Sequence, residues 1–391
     1  MSQHPWGKLI STTPNGVDVI LTSPDTLLGR TTLGTKYDEP RISRQHFHIK
    51  KTIMSDSTVV IIRPETTIGT YIDHTVVEPG DEVVLLPYTE VTLLHPMDKH
   101  ALSYCFISTA DSELDRLFLD KYKPLKFLGK GSYATVREVE EVSTSSHLAV
   151  KIVSRPEENN TFLKREEQIL ETLEHPNLVQ CHEVLYTKSR VFFVMELVTG
   201  GDLFSYLFGD NGVGKVSESQ AREVISQLLS AVKYLHAKKI CHRDIKLENV
   251  LLCEKNAIQT VKLTDFGLSR VVDITQKAQT KVGSLAYCAP EILRAEVAEY
   301  DGMKVDIWSL GVVFYLLVTG EYPFGDDTLN DLPSNIVHGT FVDESLTNKM
   351  SEEFNDLIHN MLVIDPETRF NAEQCLLHEF FGTKHPSQLE E

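Results

Sequence analysis

The sequence predicts a multidomain protein in which an all-β sandwich or barrel precedes a larger α+β domain. Three observations predict it. At 391 residues the chain exceeds what one hydrophobic core usually supports. Residues 6–108 carry short β-branched and aromatic runs broken by turn residues, with no helical periodicity. From Tyr122 onward strand-like runs come first and helical spacing then takes over.

The expected strands of the first half are Val17–Leu21, His46–Ile49, Val59–Ile62, Val83–Leu86 and Tyr104–Ile107. Turn residues at Pro14–Gly16, Pro24–Asp25, Met54–Ser57 and Glu78–Asp81 separate them. Residues 109–121 are polar and acidic and are assigned as a linker, leaving 122–382 as the second domain. There Val191–Val198 reads as a continuous buried strand, broken by Thr199–Asp202. Ser217-Glu-Ser-Gln220 is a capping box, followed by Val224, Ile225, Leu228, Leu229, Val232 and Leu235 at helical spacing. Further helices are expected near Phe162–Leu173, Asp306–Thr319 and Phe354–Leu362.

Composition narrows the function classes. A formal net charge of −18 argues against direct nucleic-acid binding and favours basic partners. The six cysteines are scattered without a Cys-x-x-Cys pair, which suits a reducing compartment better than a disulfide framework or zinc site. The N-terminus lacks signal-peptide character, and no apolar run approaches the roughly 20 residues of a membrane span. The longest, Leu310–Val318, is interrupted by Gly311 and Tyr315 and is read as a buried core helix, so an intracellular, soluble protein is expected.

The densest chemistry lies in Cys-His-Arg-Asp-Ile-Lys-Leu-Glu-Asn, residues 241–249, with Asp265-Phe-Gly267 sixteen residues past Asn249. Phosphoryl transfer calls for a carboxylate at the acceptor hydroxyl, an ammonium at the moving phosphate and oxygen ligands for magnesium. Asp244, Lys246, and the pair Asn249 and Asp265 fill those roles in order. Upstream, Leu128-Gly-Lys-Gly-Ser-Tyr-Ala-Thr-Val136 places Gly129 and Gly131 where a strand–turn–strand backbone approaches phosphates without a Cβ in the way. Ala134 replaces the third glycine of the usual pattern. Fifteen residues after Val136, Lys151 ends the apolar run Leu148-Ala-Val, and Glu166, with Glu167 competing, is its expected partner on a helix.

Residues 122–382 resemble the eukaryotic Ser/Thr protein kinases, with the bilobal kinase fold. The resemblance implies that ATP is bound by Leu128, Gly129, Gly131, Val136, Ala149, Lys151, Glu196, Leu197 and Leu251, with Met195 at the back of the adenine pocket. It pairs Glu291 of Ala-Pro-Glu with Arg369 and sets Asp306 beneath the catalytic loop. Arg243 beside Asp244 calls for a phosphate on the activation segment. Thr280 is the favoured acceptor and Thr275 the second, while Ser284 contacts the catalytic Asp and Lys. Gly200–Phe204 and Glu321–Phe324 carry a closer likeness to the calcium/calmodulin-dependent branch. That branch prefers protein substrates with Arg three residues before the target, which Asp202 and Glu248 would read. Only about ten residues follow Phe381, so a calmodulin-binding segment is not expected.

In the first half, Leu28-Gly-Arg30, Arg41-Ile-Ser-Arg-Gln-His-Phe47 and Ile68-Gly-Thr-Tyr-Ile72 resemble the forkhead-associated domain, a phosphothreonine-binding β-sandwich. Arg30 and Ser43 would grip the phosphate, with Arg44 and Thr67 assisting and His46 bracing the loops. Ile68 departs from the family, which has Asn there to clamp the peptide backbone. A forkhead-associated domain ahead of this kinase branch is the layout of the checkpoint kinase 2-like enzymes. That likeness implies phosphothreonine-containing partners, nuclear residence, and DNA-damage or meiotic checkpoint signalling. A transient homodimer for trans-autophosphorylation is expected, although only Ser2-Gln3 precedes the sandwich where relatives carry a cluster of such pairs. The alternatives are a phosphopeptide-binding scaffold with an inactive kinase fold, or a kinase of this branch outside the checkpoint pathway.

Overall fold

The structure is a computed structural model. It describes residues 4–14, 16–32, 39–54, 57–131, 134–154, 169–188, 190–265, 285–294, 300–326, 328–342 and 349–382. Its contacts divide the chain into two compact units, Met1–Glu171 with Cys181–Leu197, and Thr172–Gln180 with Val198–Glu391.

The first unit begins with ten strands: β1 (Gly7–Ser11), β2 (Val19–Leu21), β3 (Asp25–Leu28), β4 (Phe47–Met54), β5 (Ser57–Pro64), β6 (Thr70–Ile72), β7 (Thr75–Val77), β8 (Val83–Val84), β9 (Glu90–Leu93) and β10 (Leu102–Ser108). They form a six-stranded sheet, β2-β1-β10-β9-β6-β7, and a four-stranded sheet, β3-β4-β5-β8, so the sandwich alternative holds over the barrel. Leu9, Leu21, Phe47, Ile49, Ile62, Val91, Leu93, Tyr104 and Phe106 fill the sandwich core. The expected strand at Val83–Leu86 stops at Val84, because Leu85 turns inward and its N–H donates to the Val60 carbonyl at 2.8 Å.

Strand β10 is buried on both faces. Tyr104 and Phe106 enter the sandwich core, while Cys105 and Ile107 belong to a second core with Phe118, Tyr122, Val139, Val150 and Phe192. The last four lie on a five-stranded sheet of β11 (Tyr122–Lys130), β12 (Ala134–Glu141), β13 (His147–Ser154), β14 (Cys181–Tyr186) and β15 (Arg190–Glu196), ordered β11-β12-β13-β15-β14. The expected linker is therefore no open tether. It forms α1 (Thr109–Leu114), capped by Ser108, and α2 (Arg116–Leu119), which buries Phe118 completely. The Phe118 ring stacks on Phe192 with centroids 4.1 Å apart. Buried Asp115 accepts hydrogen bonds from Tyr88 Oη at 3.0 Å and Thr187 Oγ1 at 2.6 Å and pairs with Arg190. A carboxylate this deep is tolerable because donors replace its lost water.

In the second unit the elements are α3 (Leu203–Phe208), α4 (Glu218–Ala237), β16 (Val250–Glu254), β17 (Ala257–Leu263), α5 (Pro290–Leu293), α6 (Gly302–Thr319), α7 (Leu332–His338), α8 (Glu352–Met361) and α9 (Ala372–Leu376). The Ser217–Gln220 capping box is formed, and the apolar stripe of α4 from Val224 to Leu235 is buried as its spacing requires. Helix α6 is long and apolar enough to cross a membrane, but 89% of it is buried, so it is the core helix expected from Leu310–Val318. Of the helix expected at Phe162–Leu173, residues 162–168 lie outside the described residues and Ile169–Thr172 forms a 3-10 turn.

Truncating Phe118 to alanine removes the fully buried ring that stacks on Phe192 in the second core. Phe118→Ala should lower that unit's unfolding free energy by about 3–5 kcal/mol in urea titrations, a loss under about 1 kcal/mol being incompatible with this packing.

Candidate functional sites

The loop from His242 to Asn249 is held from below by one carboxylate. Asp306, 1% exposed on α6, accepts the backbone N–H of His242 at 2.8 Å and of Arg243 at 2.7 Å. The His236 ring contacts the same carboxylate at 2.9 Å. His242 is buried, and its Nε2 meets the Thr264 carbonyl at 2.8 Å while its Nδ1 takes the Asp244 N–H at 3.3 Å. A carbonyl only accepts, so these partners assign the tautomer protonated on Nε2. The loop is bent hard: Arg243 has φ +64° and Asp265 φ +66°, left-handed values that cost a non-glycine residue about 1–3 kcal/mol.

That bend brings the sequence-predicted residues together. Lys246 Nζ lies 3.0 and 2.9 Å from the two Asp244 carboxylate oxygens. Asn249 Nδ2 donates to the Asp244 carbonyl at 2.7 Å and to its Oδ2 at 2.9 Å. Asp265 follows β17 directly, and the Thr264 N–H donates to the Asn249 carbonyl at 2.9 Å, so the two expected metal ligands are tied through their backbones. An amide and a carboxylate are hard oxygen donors of the kind magnesium takes beside phosphate and water.

Asp202, an expected substrate-reading acid, has a local structural role. It caps α3, its Oδ1 accepting the Ser205 N–H at 2.7 Å. The Leu252 N–H donates to the Gly201 carbonyl and the Gly200 N–H to the Leu252 carbonyl, which sets Asp202 beside Leu251. Partial desolvation of the Glu248 carboxyl raises its pKa above the usual glutamate range; Lys246 lowers it, while Asp244 and Asp202 add to the rise. Three acids thus share one neighbourhood. The expected Glu291–Arg369 pair is bidentate, at 2.7 and 2.9 Å, with Arg369 1% exposed and 5.1 Å from the Trp308 ring.

The first unit carries the expected nucleotide-facing strands. Register places Val136 opposite both Gly129 and Lys151, and Ala149 opposite Met195, with Glu196 closing β15 and Leu197 following. A Cβ added to Gly129 would meet no described atom within 4 Å, and one on Gly131 only the Ala134 carbonyl at 3.9 Å. Packing against the described atoms therefore does not demand these glycines. Leu128 is 40% exposed in the same strand. Glu166 and Glu167, Thr275, Thr280 and Ser284 lie outside the described residues.

In the sandwich, three loops are joined by backbone bonds. The Arg30 N–H donates to Ser43, the His46 N–H to Leu28 and the Glu65 N–H to His46, at 2.9, 2.8 and 2.9 Å. A Cβ on Gly29 would lie 2.1 Å from the Arg44 carbonyl, so only glycine allows the first two loops to approach. Arg44 and Thr67 are exposed and Ser43 half-buried. His46 is fully buried, and burial pushes its imidazole down to about 4. Ile68 packs against the sandwich core.

Sequence reading missed Arg137 and Glu90. Arg137 is 0% exposed on β12, donates to the Tyr88 carbonyl at 3.0 Å and pairs with buried Glu90 at 3.1 Å. The available signal was an arginine in the same strand phase as buried Val139, facing an acid inside an apolar strand.

Comparison with known proteins agrees with this geometry. The protein kinase domain profile matches residues 122–381. The chain is 32% identical to the probable serine/threonine-protein kinase fhkC of Dictyostelium discoideum, over 99% of this chain and 66% of that protein. It is also 32% identical to the serine/threonine-protein kinase cds1 of Schizosaccharomyces pombe, over 88% of this chain and 78% of that one. Among solved structures, Rad53 1-466 in complex with AMP-PNP superposes with a TM-score of 0.57 at 28% identity, covering 96% of this chain and all of that one. The chain belongs to the serine/threonine protein kinases, in the forkhead-associated, checkpoint kinase 2-like group.

Proposed function

We propose that the chain transfers the γ-phosphate of ATP to serine or threonine hydroxyls of protein substrates and is recruited through a phosphothreonine pocket in its sandwich. The observation that carries the proposal is the Asp244 carboxylate with both Lys246 Nζ and Asn249 Nδ2 upon it. In this reading Asp244 orients the acceptor hydroxyl and takes its proton as the oxygen attacks the γ-phosphorus and the bond to the ADP oxygen breaks. Lys246 offsets charge on the moving phosphoryl group, and Lys151 holds the α- and β-phosphates. Magnesium, held by Asn249 and Asp265, would supply Lewis-acid neutralisation of the phosphate oxygens. Asp202 and Glu248 read an Arg three residues before the target, which the acidity around Glu248 supports.

Regulation follows the same chemistry. Phosphate on Thr280, or on Thr275 as second choice, supplies the anion that Arg243 calls for, and trans-autophosphorylation in a transient homodimer places it there. The resemblance to the checkpoint kinase 2-like enzymes motivates placing the chain in DNA-damage or meiotic checkpoint signalling, with nuclear residence proposed alongside it.

Two experiments bear on the two halves. Purified wild type should phosphorylate a basic peptide and its own activation segment. Asp244→Ala should lose about 10²–10⁴-fold in turnover while still binding ATP, and Thr280→Ala at least about tenfold. Full activity from Asp244→Ala rejects the reaction, and from Thr280→Ala the switch. For the sandwich, calorimetric titration with a phosphothreonine peptide should show binding that Arg30→Ala abolishes. Ile68→Asn should tighten it up to about tenfold by restoring a hydrogen bond to the peptide backbone. Binding retained by Arg30→Ala refutes the pocket.

A further inference from the structure

The strand that carries the glycines is held from outside the kinase sheet. Strand β11 slips register on either side of Phe127, which frees the Phe127 N–H from its ladder. That N–H donates instead to Glu90 Oε2 of the sandwich at 2.9 Å. Three residues on, Lys130, between Gly129 and Gly131, pairs with Asp73 at 2.8 Å. Asp73 sits at the β6–β7 turn with φ +46°, its Oδ1 accepting the Glu90 N–H at 2.8 Å and its own N–H donating to the Glu90 carbonyl at 3.0 Å. Next to it, the His74 ring meets Phe127 edge-on at 5.0 Å and contacts Glu90 at 3.3 Å. Arg137 closes the cluster, bonding Glu90 together with the Leu125 carbonyl of β11.

We propose that Asp73 and Glu90 are positioning residues for the nucleotide: the β6–β7 turn of the sandwich fixes the height and register of the glycine-rich strand, so ATP affinity depends on a domain that does not touch ATP. This deepens the kinase reading and rests on it. The alternative is that the cluster merely glues the sandwich to the sheet, costing stability when lost and leaving ATP binding alone. Electrostatics separates the two. Asp73 is an anion near a phosphate-binding strand, so deleting its charge should by field alone strengthen ATP binding. Positioning predicts the opposite sign.

Asp73→Asn keeps the turn, because asparagine tolerates positive φ and its Oδ1 still accepts the Glu90 N–H. The full chain, wild type and Asp73→Asn, Lys130→Met and the double variant, would be titrated with ATP and magnesium and assayed with a basic peptide. Each single variant should weaken ATP binding about threefold, with turnover and peptide KM changed less than about twofold. The double variant should be no weaker than the weaker single, since both remove one interaction. Unchanged or tighter ATP binding by Asp73→Asn overturns the proposal, as does a double loss equal to the product of the singles. A lower melting temperature with unchanged ATP affinity assigns the cluster to glue and also overturns it. Wild type that neither binds ATP nor labels the peptide removes the kinase reading and this inference with it; an active wild type with indifferent variants removes only the inference.

Discussion

The Asp306 carboxylate sits inside a largely apolar helix and spends its charge on the backbone of the catalytic loop. A buried acid without donors would cost several kcal/mol, so α6 tolerates Asp306 only because His242, Arg243 and His236 complete it. The dependence runs both ways. Arg243 and Asp265 hold left-handed conformations that a free loop would abandon. Once the backbone is pinned there, Asp244, Lys246 and Asn249 have little choice but to meet. The reactive cluster is thus assembled by a helix that takes no part in the chemistry, and its own length is anchored by the packing that makes it the core of the second unit.

A comparable economy governs the first unit. Strand β10 offers one face to the sandwich and the other to the kinase sheet, so two folds share a wall. Around that wall the polar groups that cannot reach water find one another: Asp115 with Arg190, Glu90 with Arg137. Breaking either pair leaves a buried charge short of a principal partner, which costs more than the pair itself contributes. Rigidity here comes from that asymmetry together with the Phe118–Phe192 stack.

How much of this was legible depended on whether a side chain's reason was local. The capping box at Ser217, the α4 stripe and the Glu291–Arg369 pair follow from spacing or from the kinase resemblance, and the structure forms each of them. Strands β1, β3, β6, β7 and β9 escaped notice because they are short and mixed in composition, their pairing decided by neighbours elsewhere in the chain. The acidic segment at 109–121 read as a linker because its apolar residues are few among acids; only Phe118 of them is fully buried, and its partner Phe192 lies more than seventy residues away. Yet one sign was present: Tyr104–Ile107 is apolar in both strand phases, which means both faces are covered. Asp202 shows the converse, since a cap and a substrate-reading acid have the same sequence signature.

The central claim, that one buried carboxylate holds the transferring residues in place, is tested most directly by single-turnover phosphoryl transfer with Asp306→Asn. The amide keeps one acceptor oxygen but turns a donor toward the loop N–H groups. Transfer to peptide should slow by roughly two orders of magnitude while ATP affinity stays near that of wild type. A wild-type transfer rate from a folded Asp306→Asn protein would contradict the account.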